Sequence, residues 1–276
     1  MALLPIHQYF SLNGILKPCK EFEVSENESG IYEVIRIEQG VPLFWEEHIG
    51  RFYHSAEIAE NIIRFSSDQI AQFVNQLIKK NKVSIGNVLI SCKINLKAFF
   101  IQHSYPTDEQ YMVGVDCAIL NAERNNPNAK VFQTDIRTKA NRILSEQGVY
   151  EVVLVDHEDK VTEGSRSNLF FIKGEKVFTP LAKKVLLGIT REKAIKCAGD
   201  IGAALEERDV LLSELSSFDA AFLTGTSPKI LPVKKIGNVV FNTDHPILKE
   251  LMDQYNIMIN DYIAENKSKH PSQLQE

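Results

Sequence analysis

Cysteine is scarce in this chain. Its four cysteines, Cys19, Cys92, Cys117 and Cys197, show no paired spacing. That argues against a disulfide framework or a zinc site and for a reducing, cytoplasmic setting. The seven histidines fall in no HExxH or HxxEH pattern, so no metal is expected. A Walker loop and a dinucleotide glycine fingerprint are both missing, and GDIG at Gly199 to Gly202 reads as a helix end. No apolar run reaches the roughly 20 residues of a membrane span. The opening MALLPIHQYF has no basic segment ahead of its apolar start, so it does not read as a signal peptide. A net charge of −5 gives no electrostatic reason to expect nucleic acid or an anionic membrane as a partner. No internal repeat occurs, and no arginine stands between Arg64 and Arg124.

What is present is ordinary globular composition over 276 residues, enough for one large or two modest domains. Residues 7–18 read as a hairpin turning at Asn13-Gly14, and Glu26 to Gly30 as a polar loop. A strand Tyr32 to Ile37 turns at Gln39-Gly40 into Val41 to Phe44. Tyr32, Val34 and Arg36 share one face of it, which fits a pocket lining and a half-solvated face alike. Helical periodicity covers Trp45 to Ile63, with His48 and Arg51 together on a flank of its apolar stripe. By themselves those two fit a boundary histidine and a snorkelling arginine. A helix over 68–80 and strands over 87–95, 98–103 and 111–120 follow. The polar run NAERNNPN at Asn121 to Asn128 is the best linker, dividing the chain into 1–120 and 129–276. Beyond it come Lys130-Val131-Phe132 and a helix over Ile136 to Gln147. Further on come a helix from Arg191, strands near 206–210 and 220–223, and a short helix over Leu211 to Phe218. The final long helix is expected to be capped by Asp244 and followed by a polar tail from Asn266.

The stretch Glu151 to Arg191 carries the chemistry. Val152 to Val155 and Leu169 to Ile172 read as buried strands, with Glu163 and a short polar loop, Gly164 to Asn168, between them. A carboxylate among buried strands costs several kcal/mol unless a cation or donors meet it. Gly188-Ile189-Thr190 leads into a helix, and the free N–H groups of a helix start suit an anion. These residues fit a ligand with a basic group at one end and a phosphate at the other. They fit equally a plain hairpin with a solvated Glu163 followed by an ordinary capped helix.

The combination resembles the fold-type IV enzymes of pyridoxal phosphate: branched-chain aminotransferases, D-amino acid aminotransferases and aminodeoxychorismate lyases. YEVIRI with EEHIGRF, then VTEGSRSNLF, TP, LLGITR and FLTGTSPKILPV, stand in the family's order and at its intervals. Any one of these is weak; together they are specific, and they cover nearly the whole chain. The resemblance implies an α/β fold of two domains: a small N-terminal α/β sandwich and a larger C-terminal α/β pseudo-barrel with the cofactor in the cleft between them. It also implies a homodimer. Lys130, 21 residues before Glu151, takes the place of the family's essential lysine. Lys139 falls in the predicted helix and too near Glu151. Glu163 matches the acid that holds the pyridine nitrogen, and Arg51 the arginine that reaches the phosphate, with His48 its neighbour. Gly188, Ile189 and Thr190 match one phosphate loop. Gly225, Thr226 and Ser227 match a second, and Leu186 matches a residue packed on the ring.

The implied function is transfer of an amino group between an amino acid and a 2-oxo acid through a Lys130 imine, a branched-chain or other apolar L-amino acid being favoured. A primary amine alone forms that link, and exchange with the substrate amine frees the lysine as a base. The alternatives are an aminodeoxychorismate lyase giving 4-aminobenzoate and pyruvate, and a D-amino acid aminotransferase. Three departures stand out. NESGIYE lacks the GDG of most members, and Asp135 stands where many branched-chain enzymes have a tyrosine. The carboxylate-gripping arginine expected between Arg64 and Arg124 is missing. The substrate candidates are therefore Tyr32, Val34, Arg36, Lys93, Lys97 and Arg166, and a lysine does not replace a bidentate arginine in geometry.

Overall fold

The computed structural model describes residues 4–24, 30–124, 127–132 and 134–269. The expected loop from Glu26 to Ser29, two asparagines of the linker and the end of the polar tail lie outside the described residues. The chain forms two compact units. One is drawn from Met1–Ser104, Ala129–Phe132 and Ile259–Glu276, the other from Tyr105–Asn128 and Gln133–Met258. The expected division at 121–128 differs from this. Val115–Asn121 is a strand of the second unit's sheet, hydrogen-bonded in parallel to Glu151–Val155. Lys130-Val131-Phe132 belongs to the first unit, where Val131 bridges Ile31. Backbone pairing, rather than linker composition, decides which unit a segment joins.

In the first unit the described strands form an antiparallel sheet. Its order is Ile15–Pro18, Tyr9–Leu12, Leu96–Ile101, Ile85–Cys92, Ile31–Glu38, Val41–Pro42. The hairpin turns fall as read, at Asn13-Gly14 and Gln39-Gly40, all four residues with positive φ as such two-residue turns require. Helix α1 spans Trp45–Ile58. It stops five residues before the expected Ile63, because Glu60 turns left-handed (φ 52°) and Asn61 N–H closes on Ala56 O. Ile63 still packs on the core from the extended segment beyond. Helix α2, Ser67–Asn81, starts with a capping box in which Ser66 and Gln69 satisfy each other's backbone N–H groups. The strand Ile31–Glu38 buries Ile31, Ile35 and Ile37 against Phe52, Ile70, Val74 and Leu77. Its other face sets Tyr32 and Val34 with Leu89, Phe99 and Phe10.

In the second unit the described strands form a mixed sheet. Its order is Ala204–Glu207, Lys176–Thr179, Asn168–Lys173, Ala220–Gly225, Lys229–Ile236, Val115–Asn121, Glu151–Val155, Lys160–Gly164, Val210–Leu211, with Val239–Val240 alongside Lys229–Ile236. Three differences from the reading matter. Residues 111–113 are not strand but the end of helix α3, Asp108–Val113, which opens with a Thr107/Gln110 capping box. Glu163 sits on a strand of its own, Lys160–Gly164, and Lys229–Ile236 is a central strand despite its proline. Helix α4 is Thr134–Gln147 and helix α5 is Ile189–Asp200, the latter ending at the left-handed Gly202. Helix α6, Pro246–Lys269, begins two residues after the expected cap. Proline suits a first helical turn, and the Asp244 carboxylate instead pairs with Lys249. At the centre Phe170 and Phe222, opposite each other on neighbouring strands, stack with ring centres 4.9 Å apart and no solvent exposure. Such a cross-strand pair contributes about 0.5–1.5 kcal/mol beyond its buried area. Among the described residues no helix is long and apolar enough to cross a membrane.

Candidate active site

Two groups of side chains gather, one in each unit. In the first, Lys130 is held by its backbone: its N–H donates to Ser55 Oγ at 3.2 Å, and its carbonyl accepts from Tyr32 N–H at 3.1 Å. The Lys130 amine lies 4.9 Å from the centre of the Tyr32 ring. That ring also stacks on Phe132 at 4.2 Å. Close by, α1 presents His48 and Arg51, one turn apart. Both reach Glu33, which is fully buried on the isoleucine face of its strand. Arg51 Nε and Nη2 donate to the two Glu33 oxygens at 2.6 and 2.8 Å, and His48 Nδ1 lies 2.7 Å from Oε2. Burial alone raises the Glu33 pKa, but the Arg51 charge and the hydrogen bonds from His48 and Arg51 outweigh it and bring the carboxyl to about 2. An ionised Glu33 can only accept, so Nδ1 of His48 carries the hydrogen. Burial holds His48 below its ordinary pKa, against the pull of Glu33 and helped by the charges of Arg51 and Lys130.

In the second unit Glu163 is the centre. Its Oε2 accepts from Leu186 N–H at 3.1 Å and from the Asn168 amide at 3.4 Å. Arg124 Nε lies 2.8 Å from Oε1, an ion pair whose angle does not make a hydrogen bond. Asn168 ties the group together. Its amide also donates to Leu186 O at 2.8 Å, and its backbone pairs with Thr224 across the sheet. A Cβ on Gly188 would fall 2.1 Å from Asn168 Oδ1, so only glycine permits this approach. Gly188 precedes α5 and offers no side chain to cap it, leaving the first N–H groups of that helix to an anion. Thr190 is buried in that first turn. Thr224 leads into Gly225, Thr226 and Ser227, and its buried hydroxyl has no hydrogen-bond partner among the described residues.

The expected substrate cations make contacts of their own. Arg36 Nε donates to Glu38 at 2.8 Å. Lys97 donates to Glu23 O at 3.0 Å and lies over the Phe22 ring. Lys93 is exposed beside the turn before Leu96, and Arg166 reaches Asn141 on α4. Lys139 is exposed on the same helix. Two charges paired in these groups escaped the sequence reading: Glu33 and Arg124. A visible sign existed for the first, a lone carboxylate alternating in phase with Ile31, Ile35 and Ile37 on an apolar strand face.

Glu163, met by a backbone N–H, and the open start of α5 lie in the second unit; the Lys130 amine and Arg51 lie in the first. The family of class IV amino-transferases matches residues 30–236, and the chain belongs to it. It is an aminotransferase of a class that depends on pyridoxal phosphate, acting on amino and oxo acids. A Rickettsia conorii protein named as a branched-chain-amino-acid aminotransferase is 24% identical over 95% of this chain and 100% of its own length. The D-alanine aminotransferase of Listeria monocytogenes is 27% identical over 76% of this chain and 79% of that protein. In fold, the crystal structure of the Escherichia coli branched-chain aminotransferase matches with a TM-score of 0.83 at 21% identity, covering 92% of this chain and 95% of that one.

Proposed function

We propose that the chain moves the amino group of an apolar L-amino acid, a branched-chain one foremost, to a 2-oxo acid, with pyridoxal phosphate linked to Lys130. The observation that carries this reading is the Lys130 amine, its residue fixed by its own backbone, lying over the Tyr32 ring and near enough for its charge to act on His48. The residues fit the cofactor: Glu163 for the ring nitrogen, and Arg51, the start of α5 and the turn Gly225 to Ser227 for the phosphate. Bound there, pyridoxal phosphate supplies an aldehyde for the covalent link and a ring that takes up the electrons of a deprotonated α-carbon. Glu163, paired with Arg124 and met by the Leu186 N–H, would hold a proton on the ring nitrogen. As a free amine, Lys130 Nζ would take the substrate α-proton and hold it for return. A second copy of the chain is the proposed partner, supported by the family resemblance.

Absorption spectroscopy of the purified protein with pyridoxal phosphate tests the proposal. A visible band from the lysine-linked cofactor should convert to the pyridoxamine form with leucine, isoleucine or valine and not with D-alanine. Lys130→Ala should lose the band and at least about 10³-fold in turnover. Conversion by D-alanine alone would move the substrate to the other hand, and pyruvate release with no conversion would point to the lyase.

A further inference from the structure

Glu151 is 3% exposed at the start of its strand, and nothing in the chemistry above uses it. Both of its oxygens are filled from one direction. Oε1 accepts from Ser165 Oγ at 2.7 Å and from Val152 N–H at 2.8 Å. Oε2 accepts from Ser167 Oγ at 2.8 Å and from Arg166 N–H at 3.2 Å. Three of these donors belong to the turn that follows directly on Glu163-Gly164. A Cβ on Gly164 would fall 2.1 Å from Ser167 Oγ and 3.1 Å from Cγ and Cδ of Glu151, so the turn packs closely on this side chain. On the far side of the turn, Arg124 Nη2 donates to Ser165 O at 2.7 Å while its Nε faces Glu163. The turn is thus gripped by a carboxylate on one side and by the guanidinium that pairs Glu163 on the other.

We propose that Glu151 is a positioning residue for Glu163: its carboxylate holds the Ser165–Ser167 turn, and through it the strand end that presents Glu163 to the cofactor ring. The chemistry requires an acid at this place. Each oxygen meets one backbone N–H that cannot turn away, Val152 on one side and Arg166 on the other, whereas the serine hydroxyls can rotate. A glutamine offers one oxygen and one NH2, so in either orientation its NH2 faces a fixed N–H donor and one hydrogen bond is lost. The freed turn then lets Glu163 move, and a displacement near 1 Å in a reacting constellation costs on the order of 10²-fold.

This inference rests on the reading of Glu163 as the cofactor's acid, so the experiment separates the two. Holoenzyme is prepared as wild type, Glu151→Gln, Glu163→Gln and the double variant. Cofactor dissociation constant, the pH titration of the lysine-linked band, and kcat are measured on each. Glu163→Gln should shift the titration and lower kcat; if it behaves as wild type, both readings fall. Glu151→Gln should shift the titration in the same direction, weaken cofactor binding about 10-fold and lower kcat by about 10–100-fold. In the Glu163→Gln background it should add less than about 2-fold, since residues acting through one group are not additive. A Glu151→Gln enzyme with unchanged titration and binding, or an effect equally large in both backgrounds, overturns the proposal while leaving Glu163 in its role. Should Glu151→Gln fail to fold, the pair Ser165→Ala and Ser167→Ala decides. Each removes one donor from an intact carboxylate and should shift the titration the same way; no shift in either overturns the proposal.

Discussion

Replacing Glu33 with glutamine should expose how much of the first unit depends on one buried acid. The carboxyl titrates at about 2 in the fold against 4.5 ordinarily. At roughly 1.4 kcal/mol per unit, that difference makes the ionised form worth about 3 kcal/mol to folding. Because the folded value is the lower one, this stability is fully present above pH 4.5 and drains away as the pH falls toward 2. Glu33→Gln removes the charge at every pH and leaves the Arg51 guanidinium, 8% exposed, without its counter-charge. Breaking a buried pair in this way costs about 3–5 kcal/mol. The assay is urea unfolding of protein without added cofactor, followed by the fluorescence of Trp45, the only tryptophan. Since Trp45 opens the helix that carries Arg51, its signal reports the unit concerned. The gap between wild type and variant should be about 3–5 kcal/mol at pH 7 and should close between pH 4.5 and about 2. A gap under about 1 kcal/mol, or one that does not narrow with acid, would refute the reasoning.

Two further outcomes follow from single contacts. Gly188→Ala should drive the Asn168 side chain from its place, releasing Leu186 O and loosening Glu163. A loss of about 1–3 kcal/mol in chemical unfolding, with weaker cofactor binding, is expected. Tyr262→Phe keeps the ring against Phe44 but removes the oxygen that accepts from Trp45 N–H at 2.9 Å. The Trp45-monitored transition should then move to lower urea by the equivalent of about 1–2 kcal/mol, and an unchanged midpoint would dismiss the contact as a cap.

Local signals in the sequence carried far. Asn13-Gly14 and Gln39-Gly40 marked turns with positive φ, which glycine and asparagine tolerate cheaply, and the alternation around Tyr32 gave the right faces. The helix Asp108–Val113 was as legible as its neighbour α2, through Thr107 and Gln110, yet the aromatic and β-branched Tyr111 and Val113 read as strand. The other losses share a cause. Glu33 meets Arg51 across 18 residues, and Glu151 meets Ser165 and Ser167 across 14 and 16. A buried acid looks identical in sequence whether water or a partner will meet it, and only the pairing of strands brings the partner. The same holds for the assignment of Lys130 to the first unit, where residues 130–132 pair with Gly30 to Tyr32 and Ser55, partners far from them in the chain.

The first unit closes on residues made at very different times. Its sheet is complete in the chain by Ile101, but the segment carrying Lys130 follows later, and Tyr262, whose oxygen receives Trp45 N–H, later still. Phe44, left-handed at φ 52°, offers no side-chain cap of its own to α1. During synthesis, at roughly 5–20 residues per second, α1 therefore waits about 10–40 seconds with its leading N–H unmatched. A ribosome that stops before residue 262 releases a chain in which α1 lacks the oxygen that receives its leading N–H. Nascent chains shortened in this way should be digested by protease at α1 first.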